Sequence, residues 1–263
     1  MMTKYKVLFL DIDGTILTPN DSIEDSTKNA VAQVQAKGLE VFLATGRPLH
    51  EIDELAKKLN IDSFIGYNGA YATYQHEDIF QEPMDKKLVQ RFMEIAAKHH
   101  HEVVLYTNKE NVLTSLDSPG MQKFVEMFHL HKNVAFSPSN HYDVLGMTLV
   151  NVKEDDLAPY NQEESIHLSQ VNVDGMRHCY DVIRDKVNKG YGIQMVLKRL
   201  GIEKETSIAF GDGMNDKEML QTVGESFAMG NGHPNIFQYA KHKTTEVTNS
   251  GIYNGLKQLG LVD

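Results

Sequence analysis

The chain has a single cysteine, Cys179, among 263 residues. One thiol can neither close an internal disulfide nor build a thiolate metal cluster, so a disulfide-stapled secreted scaffold and a cysteine-based zinc module are both excluded. A reducing compartment, the cytoplasm, is the expectation. Positive charge is also scarce: 26 Lys and Arg stand against 36 Asp and Glu, a formal net charge of −10. The acidic excess is present both within residues 83–186 and outside them, so neither part offers a basic lobe for nucleic acid or an anionic membrane. Long apolar runs are missing as well. After Met-Met-Thr-Lys-Tyr-Lys the first apolar run is only Val7 to Leu10, too short for the core of a signal peptide, and no stretch approaches a membrane span. With 41% hydrophobic residues, 24% charged, 19 glycines and 7 prolines, the composition is globular rather than disordered, collagenous or coiled-coil. A chain this long buries about 70–75% of its unfolded surface without staples, as one large domain or two smaller ones.

Short β-rich runs alternate with amphipathic stretches from the start, the rhythm of a parallel sheet covered by helices. Strands are predicted at Val7 to Leu10, Leu39 to Ala44 and from Phe64-Ile65. Helices are predicted from about Ser26 to Lys37, ending at Gly38, and from Leu49 to Leu59, with Pro48 in its first turn. Asn68-Gly69 reads as a hairpin turn whose arms are Tyr71 to Tyr74 and Asp78 to Phe80. The pattern changes near Gln81-Glu82-Pro83. A helix from Lys86 to His99 and another around Gln122 to Phe128 accompany strands at Val103 to Tyr106, Val112 to Leu116, Val144 to Val152 and Cys179 to Ile183. After Val187 the first rhythm returns: helix Gly192 to Leu200, strand Ser207 to Phe210, helix Asp216 to Thr222, strand Ser226 to Met229, and helices near Asn235 and Ile252. The predicted fold is therefore α/β: a Rossmann-like, doubly wound parallel-sheet core formed by residues 1–82 and 187–263, interrupted by an inserted α/β cap at 83–186.

In open α/β sheets ligands collect at the carboxyl ends of the strands. Three predicted strands run directly into polar sequences there: Asp11-Ile12-Asp13-Gly14-Thr15, Thr45-Gly46-Arg47-Pro48 and Gly211-Asp212-Gly213-Met214-Asn215-Asp216. On neighbouring parallel strands these groups converge on one rim. Asp11 and Asp13, two apart on a strand, would share a face. Clustered carboxylates repel one another unless a hard cation sits among them, and an all-oxygen set without Cys or nearby His favours Mg2+ over zinc.

DIDGT, ATGRP, VNKG and GDGMND, in that order, resemble the four motifs of the haloacid dehalogenase superfamily. The large α/β insertion between the second and third is similar to that of its Cof-type sugar-phosphate phosphatases. The likeness spans essentially the whole chain; Asp185-Lys186, just before the third motif, departs from the small or proline residues common there. The resemblance implies a Mg2+-dependent phosphatase acting on small phosphorylated metabolites such as sugar phosphates or phosphorylated cofactors. Asp11 would be the nucleophile, forming an aspartyl-phosphate, and a carboxylate needs no base to activate it. Asp13 would protonate the leaving alkoxide and then deprotonate the attacking water. Mg2+ would be held by Asp11, Asp212 and Asp13 through its backbone carbonyl. Thr45, the Gly46 N–H, Lys189 and Asn215 would hold the phosphate, with Asp216 positioning Lys189 or a metal-bound water and Arg47 and Asn68 in support. A helix beginning after Thr45 would add its positive end.

Taken alone, several of these residues read blandly. Asp11 is then a cap or turn residue, Lys189 a solvated lysine and Asn68 a turn residue. His99-His100-His101 reads as surface at a helix end, Met121, Met127 and Phe128 as cap core, and Cys179 as a small buried hydrophobe. Substrate selection is expected in cap loops, with Ser118 to Met121, Gly146-Met147 and Asp174 to Met176 unranked. A phosphomutase of the same fold and a non-catalytic phosphometabolite sensor are the alternatives, separated by product analysis and by calorimetry. A carbon–halogen hydrolase needs neither Asp13 nor a metal, and the ion-pump relatives need membrane spans.

Overall fold

A computed structural model describes residues 4–263. In chain order the elements are β1 (Val7–Leu10), α1 (Asp25–Ala36), β2 (Glu40–Ala44), α2 (Asp53–Leu59), β3 (Ser63–Gly66), β4 (Tyr71–Tyr74) and β5 (Glu77–Gln81). There follow α3 (Lys86–His99), β6 (Glu102–Tyr106), β7 (Asn111–Leu113), α4 (Pro119–Met127), β8 (Asn133–Ala135), β9 (Gly146–Val150), β10 (Ile166–Gln170) and β11 (Tyr180–Arg184). The chain ends with α5 (Lys189–Leu200), β12 (Ser207–Gly211), α6 (Lys217–Thr222), β13 (Glu225–Ala228), β14 (His242–Lys243) and α7 (Gly251–Gln258). These elements form two units: residues through Arg47 with Ile52–Phe80 and Val187–Asp263, and Pro48–Glu51 with Gln81–Lys186.

The first unit is built on a sheet in the order β14-β13-β12-β1-β2-β3-β4-β5. Strands β14 through β3 pair in parallel and β4 turns back antiparallel to β3. All four residues of β1 are buried, as a central strand covered on both faces requires, and this is why it reads as an unbroken apolar run. Val7 and Phe9 of β1 pack with Phe42, Ile65 and Ala209 against Ile193, Val196 and Leu197 of α5 and Met219 and Leu220 of α6. Each such buried side chain contributes about 1.5–3 kcal/mol. Helices α1 and α7 pack together, with α1 against β2, giving the doubly wound arrangement.

The second unit holds a mixed sheet in the order β10-β11-β9-β6-β7-β8, antiparallel except for β7 with β8. Phe92 and Ala96 of α3 pack with Val103, Leu105, Met147 and Leu149. Met121 and Phe124 of α4 pack with Val104, Leu113 and Val150, residues of the opposite alternation. Asp85 caps α3 by accepting from the Lys87 and Leu88 N–H groups, and Ser118 caps α4 ahead of Pro119.

Several expectations are corrected. The helix predicted over Leu49 to Leu59 is split into a 3-10 turn at Leu49–Glu51 and α2, with Ile52 at φ −113° and ψ 3° between them. Tertiary bonds explain the break: the buried Glu51 carboxylate accepts from Asn111 Nδ2 at 2.9 Å and from the His131 N–H at 2.7 Å, which holds the turn instead of extending it. The Asn68-Gly69 turn joins β3 to β4, not the two predicted arms; those are linked by Gln75-His76, both left-handed at φ 49° and 69°. Three strands, β8, β10 and β14, escaped prediction because they are short or turn at most two apolar residues towards a core. His101 is not on the surface: it is buried, with Nδ1 at 3.0 Å from the Tyr160 hydroxyl, while Met127 is exposed rather than core. Met121, Met147 and Met176 are all buried in the second unit's core. Cys179 is buried, and burial pushes its thiol up to about 11.

Candidate active site

Parallel pairing sets Leu10 opposite both Phe210 and Leu43, so β1, β12 and β2 release the chain at one edge of the sheet. The Asp11 N–H still donates to the Phe210 carbonyl at 3.1 Å, and the Thr45 N–H to the Ile65 carbonyl at 2.8 Å. These last ladder bonds anchor the two polar loops. Asp11 and Asp13 lie beyond the final strand residue, so strand alternation does not place them as expected. Instead Asp11 is buried while Asp13 is exposed.

At the centre is Lys189, the first residue of α5 and wholly buried, where the residue taken alone predicts a solvated lysine. Its Nζ donates to Asp11 Oδ1 at 2.5 Å and to Asp216 Oδ1 at 2.6 Å. Burial by itself would lower the proton affinity of this amine, but the two carboxylates outweigh it and hold it above the ordinary lysine range. α5 can start here because Gly69, at φ +95°, passes under the chain: a Cβ on it would lie 2.0 Å from the Asn188 carbonyl oxygen. Asn188 in turn caps α5, its side chain accepting from the Tyr191 N–H.

Asp216 is fully engaged. Its second oxygen accepts from the Asp212 and Gly213 N–H groups, both at 2.9 Å, which folds GDGMND into a tight turn. Asp212 takes a hydrogen bond from the Thr15 hydroxyl at 3.2 Å. Gly14, at φ +79°, makes room for it: a Cβ there would sit 2.3 Å from Asp212 Oδ2. Burial and the Asp216 charge push Asp212 up to about 6, against the pull of Thr15, Lys189 and a hydrogen bond with Asp11. Asp11 is pushed well above the carboxylate range by burial and by the charges of Asp216 and Asp212, which outweigh Lys189.

Carboxylate oxygens of Asp11, Asp212 and Asp216 lie within 4.8 Å of one another. Three carboxylates against one ammonium are a formal excess of two negative charges in a largely buried space, and two carboxylates close enough to share a proton can share a divalent cation. An all-oxygen donor set of this kind suits a hard ion. The side chains that converge are thus Asp11, Asp212 and Asp216; the side chain of Asp13 instead faces Arg47, whose Nε donates to its Oδ2 at 3.0 Å and whose Nη2 pairs with its Oδ1.

A second group surrounds Thr45, which is buried and whose hydroxyl accepts from the Arg47 N–H at 3.1 Å. The Thr45 carbonyl accepts from the Asn68 N–H, and Asn68 Oδ1 accepts from Asn215 Nδ2 at 3.4 Å. Gly46 lies against the Asn68 amide, about where a Cβ would come within 3.0 Å. The expected helix N-terminus after Thr45 is absent: α2 begins only at Asp53, after the 3-10 turn.

Two contributors escaped assignment from sequence. Thr15 lies within DIDGT and its hydroxyl could have been noticed; Asn231, just after β13, donates to the Gly14 carbonyl and had no signal beyond its place at a strand end. Among the described residues, no helix is long and apolar enough to cross a membrane.

The sequence matches the family of haloacid dehalogenase-like hydrolases over residues 8–256. It is 28% identical over 261 residues to YkrA, a phosphatase-like protein of Bacillus subtilis, covering 98% of each chain. It is 26% identical over 272 residues to YitU of Bacillus subtilis, named 5-amino-6-(5-phospho-D-ribitylamino)uracil phosphatase, again covering 98% of each. Among solved structures, a hypothetical protein of Geobacillus kaustophilus superposes with a TM-score of 0.89 at 30% identity, covering 98% of this chain and 100% of that one. The subclass IIB sugar phosphatase BT4131 superposes at 0.80 with 26% identity, covering 98% and 100%. With the motif carboxylates and lysine assembled at one sheet edge and these likenesses running the full length, the chain belongs to the haloacid dehalogenase-like hydrolases, in their Cof-type phosphatase branch.

Proposed function

We propose that the protein hydrolyses small phosphate monoesters, with Mg2+, in two steps through a phosphorylated Asp11. The observation that carries this reading is Lys189, buried between Asp11 and Asp216 beside Asp212. In the first step an oxygen of Asp11 attacks phosphorus, the bond from phosphorus to the ester oxygen breaks, and Asp13 gives that oxygen its proton. In the second, Asp13 takes a proton from water, the water oxygen attacks phosphorus, and inorganic phosphate leaves Asp11 free. Lys189 neutralises phosphoryl oxygens, while Thr45, Gly46 and Asn215 hold them. Arg47 supports Asp13, and Asn68 fixes Asn215 over the Thr45 loop. Mg2+, held by Asp11 and Asp212 with the Asp13 carbonyl, would supply the charge that lets an anion approach a phosphate dianion and that stabilises the transferring group.

Residues 83–186 are assigned to substrate selection. YitU is named for a phosphorylated ribityl compound and BT4131 as a sugar phosphatase, which supports phosphorylated sugars and polyols as substrates of this chain. The test is phosphate release from a panel of sugar phosphates, polyol phosphates, nucleotides and pyridoxal phosphate, with Mg2+ and with chelator, beside Asp11→Asn. Release that needs Mg2+ and disappears in the variant is expected. Full turnover by Asp11→Asn refutes the covalent mechanism, and an isomerised sugar phosphate in place of free phosphate marks a mutase.

A further inference from the structure

The loop after β13 is bonded to the main chain of both loops that carry Asp11 and Asp212. The Met229 N–H donates to the Gly211 carbonyl at 3.0 Å and the His233 N–H to the Asp212 carbonyl at 2.9 Å, which ties this loop to GDGMND. Between them, Asn231 Nδ2 donates to the Gly14 carbonyl at 2.8 Å, and its Oδ1 accepts from the Val247 N–H at 2.8 Å. The Gly230 N–H adds a bond to the Thr245 carbonyl at 3.0 Å. One amide side chain thus joins the DIDGT loop to the 244–247 segment, from a loop that also grips Asp212.

The Gly14 carbonyl lies at a sensitive place. A peptide plane is rigid, so holding its oxygen fixes the orientation of the whole Gly14–Thr15 unit. Gly14 is left-handed, a conformation with little intrinsic preference to keep it, and its α-carbon abuts Asp212. The next residue, Thr15, places its hydroxyl on Asp212 Oδ1. Asn231 therefore acts at one remove on the spacing of Asp11 and Asp212. We infer that Asn231 is a positioning residue: by clamping the Gly14 carbonyl to the 244–247 segment it sets the separation of the two carboxylates that take the divalent cation.

This rests on the metal-dependent reading of the site, but its readout needs no turnover. Mg2+ is titrated into the full chain by calorimetry for wild type, Asn231→Ala, Asn231→Asp and Asn254→Ala. Asn254 supports the same segment, through Thr245 Oγ1 at 2.8 Å and the Asn249 carbonyl at 3.1 Å, without touching Gly14. Loss of one clamp bond is expected to weaken Mg2+ binding about fivefold to tenfold in Asn231→Ala, with Asn254→Ala within about twofold of wild type. Asn231→Asp keeps the acceptor for Val247 and loses the donor to Gly14. The added negative charge alone would tighten Mg2+ binding, whereas the clamp requires it to weaken. Unchanged affinity in Asn231→Ala, equal or tighter binding in Asn231→Asp, or an equal loss in Asn254→Ala overturns the assignment. Failure of every ester to be hydrolysed would defeat the phosphatase reading and leave these titrations to decide the clamp by themselves.

Discussion

Replacing Lys189 by Met tests the electrostatic account of the site most directly. Methionine keeps the length and apolar stem of the side chain but removes the ammonium that contacts Asp11 and Asp216, both buried. Three carboxylates within 4.8 Å then face one another without a cation of the protein's own. Removing one partner of a buried ion pair costs about 3–5 kcal/mol. In a unit of this size each kcal/mol moves the melting point by about 2–4 °C, so a fall of roughly 6–20 °C is expected in chelator at about pH 8.

The sign of its pH dependence follows from the raised carboxylates. Asp11 lies above the ordinary range and Asp212 at about 6, and loss of Lys189 raises both further. A carboxyl whose proton affinity is higher folded than unfolded contributes its stability in full below the unfolded value and loses it as pH rises through the folded one. The penalty of Lys189→Met is therefore small near pH 4 and grows as pH rises through and beyond about 6. Excess Mg2+ restores more of the melting point in the variant than in wild type, because three negative charges replace two. Adding Asp216→Asn returns the charge to the wild-type excess while leaving an amide oxygen for the Asp212 and Gly213 N–H groups, and recovers at least half of the loss. Melting curves across pH, with and without Mg2+, check all of this. A fall below about 2 °C, or an equal fall at acid and alkaline pH, refutes the reasoning. Turnover should drop by about a hundredfold or more in Lys189→Met.

Because Asp212, raised to about 6, and Asp11, raised well above the carboxylate range, must both give up protons to take a cation, Mg2+ affinity measured by calorimetry should fall by about tenfold or more per pH unit below about pH 6; a flat profile from about pH 5 to 8 contradicts the shifts. Gly14→Ala forces a side chain into a left-handed position 2.3 Å from Asp212 Oδ2, and should cost at least about 1 kcal/mol by denaturant titration while weakening Mg2+ binding. Gly69→Ala meets a backbone oxygen at 2.0 Å rather than a movable side-chain end, so its loss of stability should exceed that of Gly14→Ala. Cys179, buried with its thiol pushed up to about 11, should resist alkylation in the folded chain near neutral pH and react fully in urea.

The core was legible where burial on both faces writes itself into composition. Val7 to Leu10 is an unbroken apolar run because β1 lies between β12 and β2 under helices, and its polar successors mark a strand end without further information. The break at Ile52 was not legible, since Leu49 to Leu59 has helical period and only Asn111 and His131, distant in sequence, hold Glu51 in its turn. His101 was misread for a similar reason. Its neighbours His99 and His100 end a helix, but its own ring goes to Tyr160, which lies 59 positions along the chain. Strand β10 turns only Ile166 and Leu168 towards the core, an alternation too short to stand out.

Within the site the same division follows distance along the chain. Asp216 is four residues from Asp212, and its carboxylate closes the turn by accepting from the Asp212 and Gly213 N–H groups, so that acidic position has a local cause that a single sequence can suggest. Lys189 has no local cause. Nothing near it in sequence reveals that Asp11, 178 positions earlier, and Asp216, 27 later, will surround it, and taken alone it reads as solvated. Only the order of four motifs pointed to it. Asn231 had neither a local cause nor a motif, because its two partners are Gly14 and Val247, and both offer only main-chain groups. Main-chain groups carry no residue identity, so no side-chain pattern could have shown them. Side chains that serve distant backbone are for this reason the contributors a motif reading passes over, and the loop after β13 is where this site holds one.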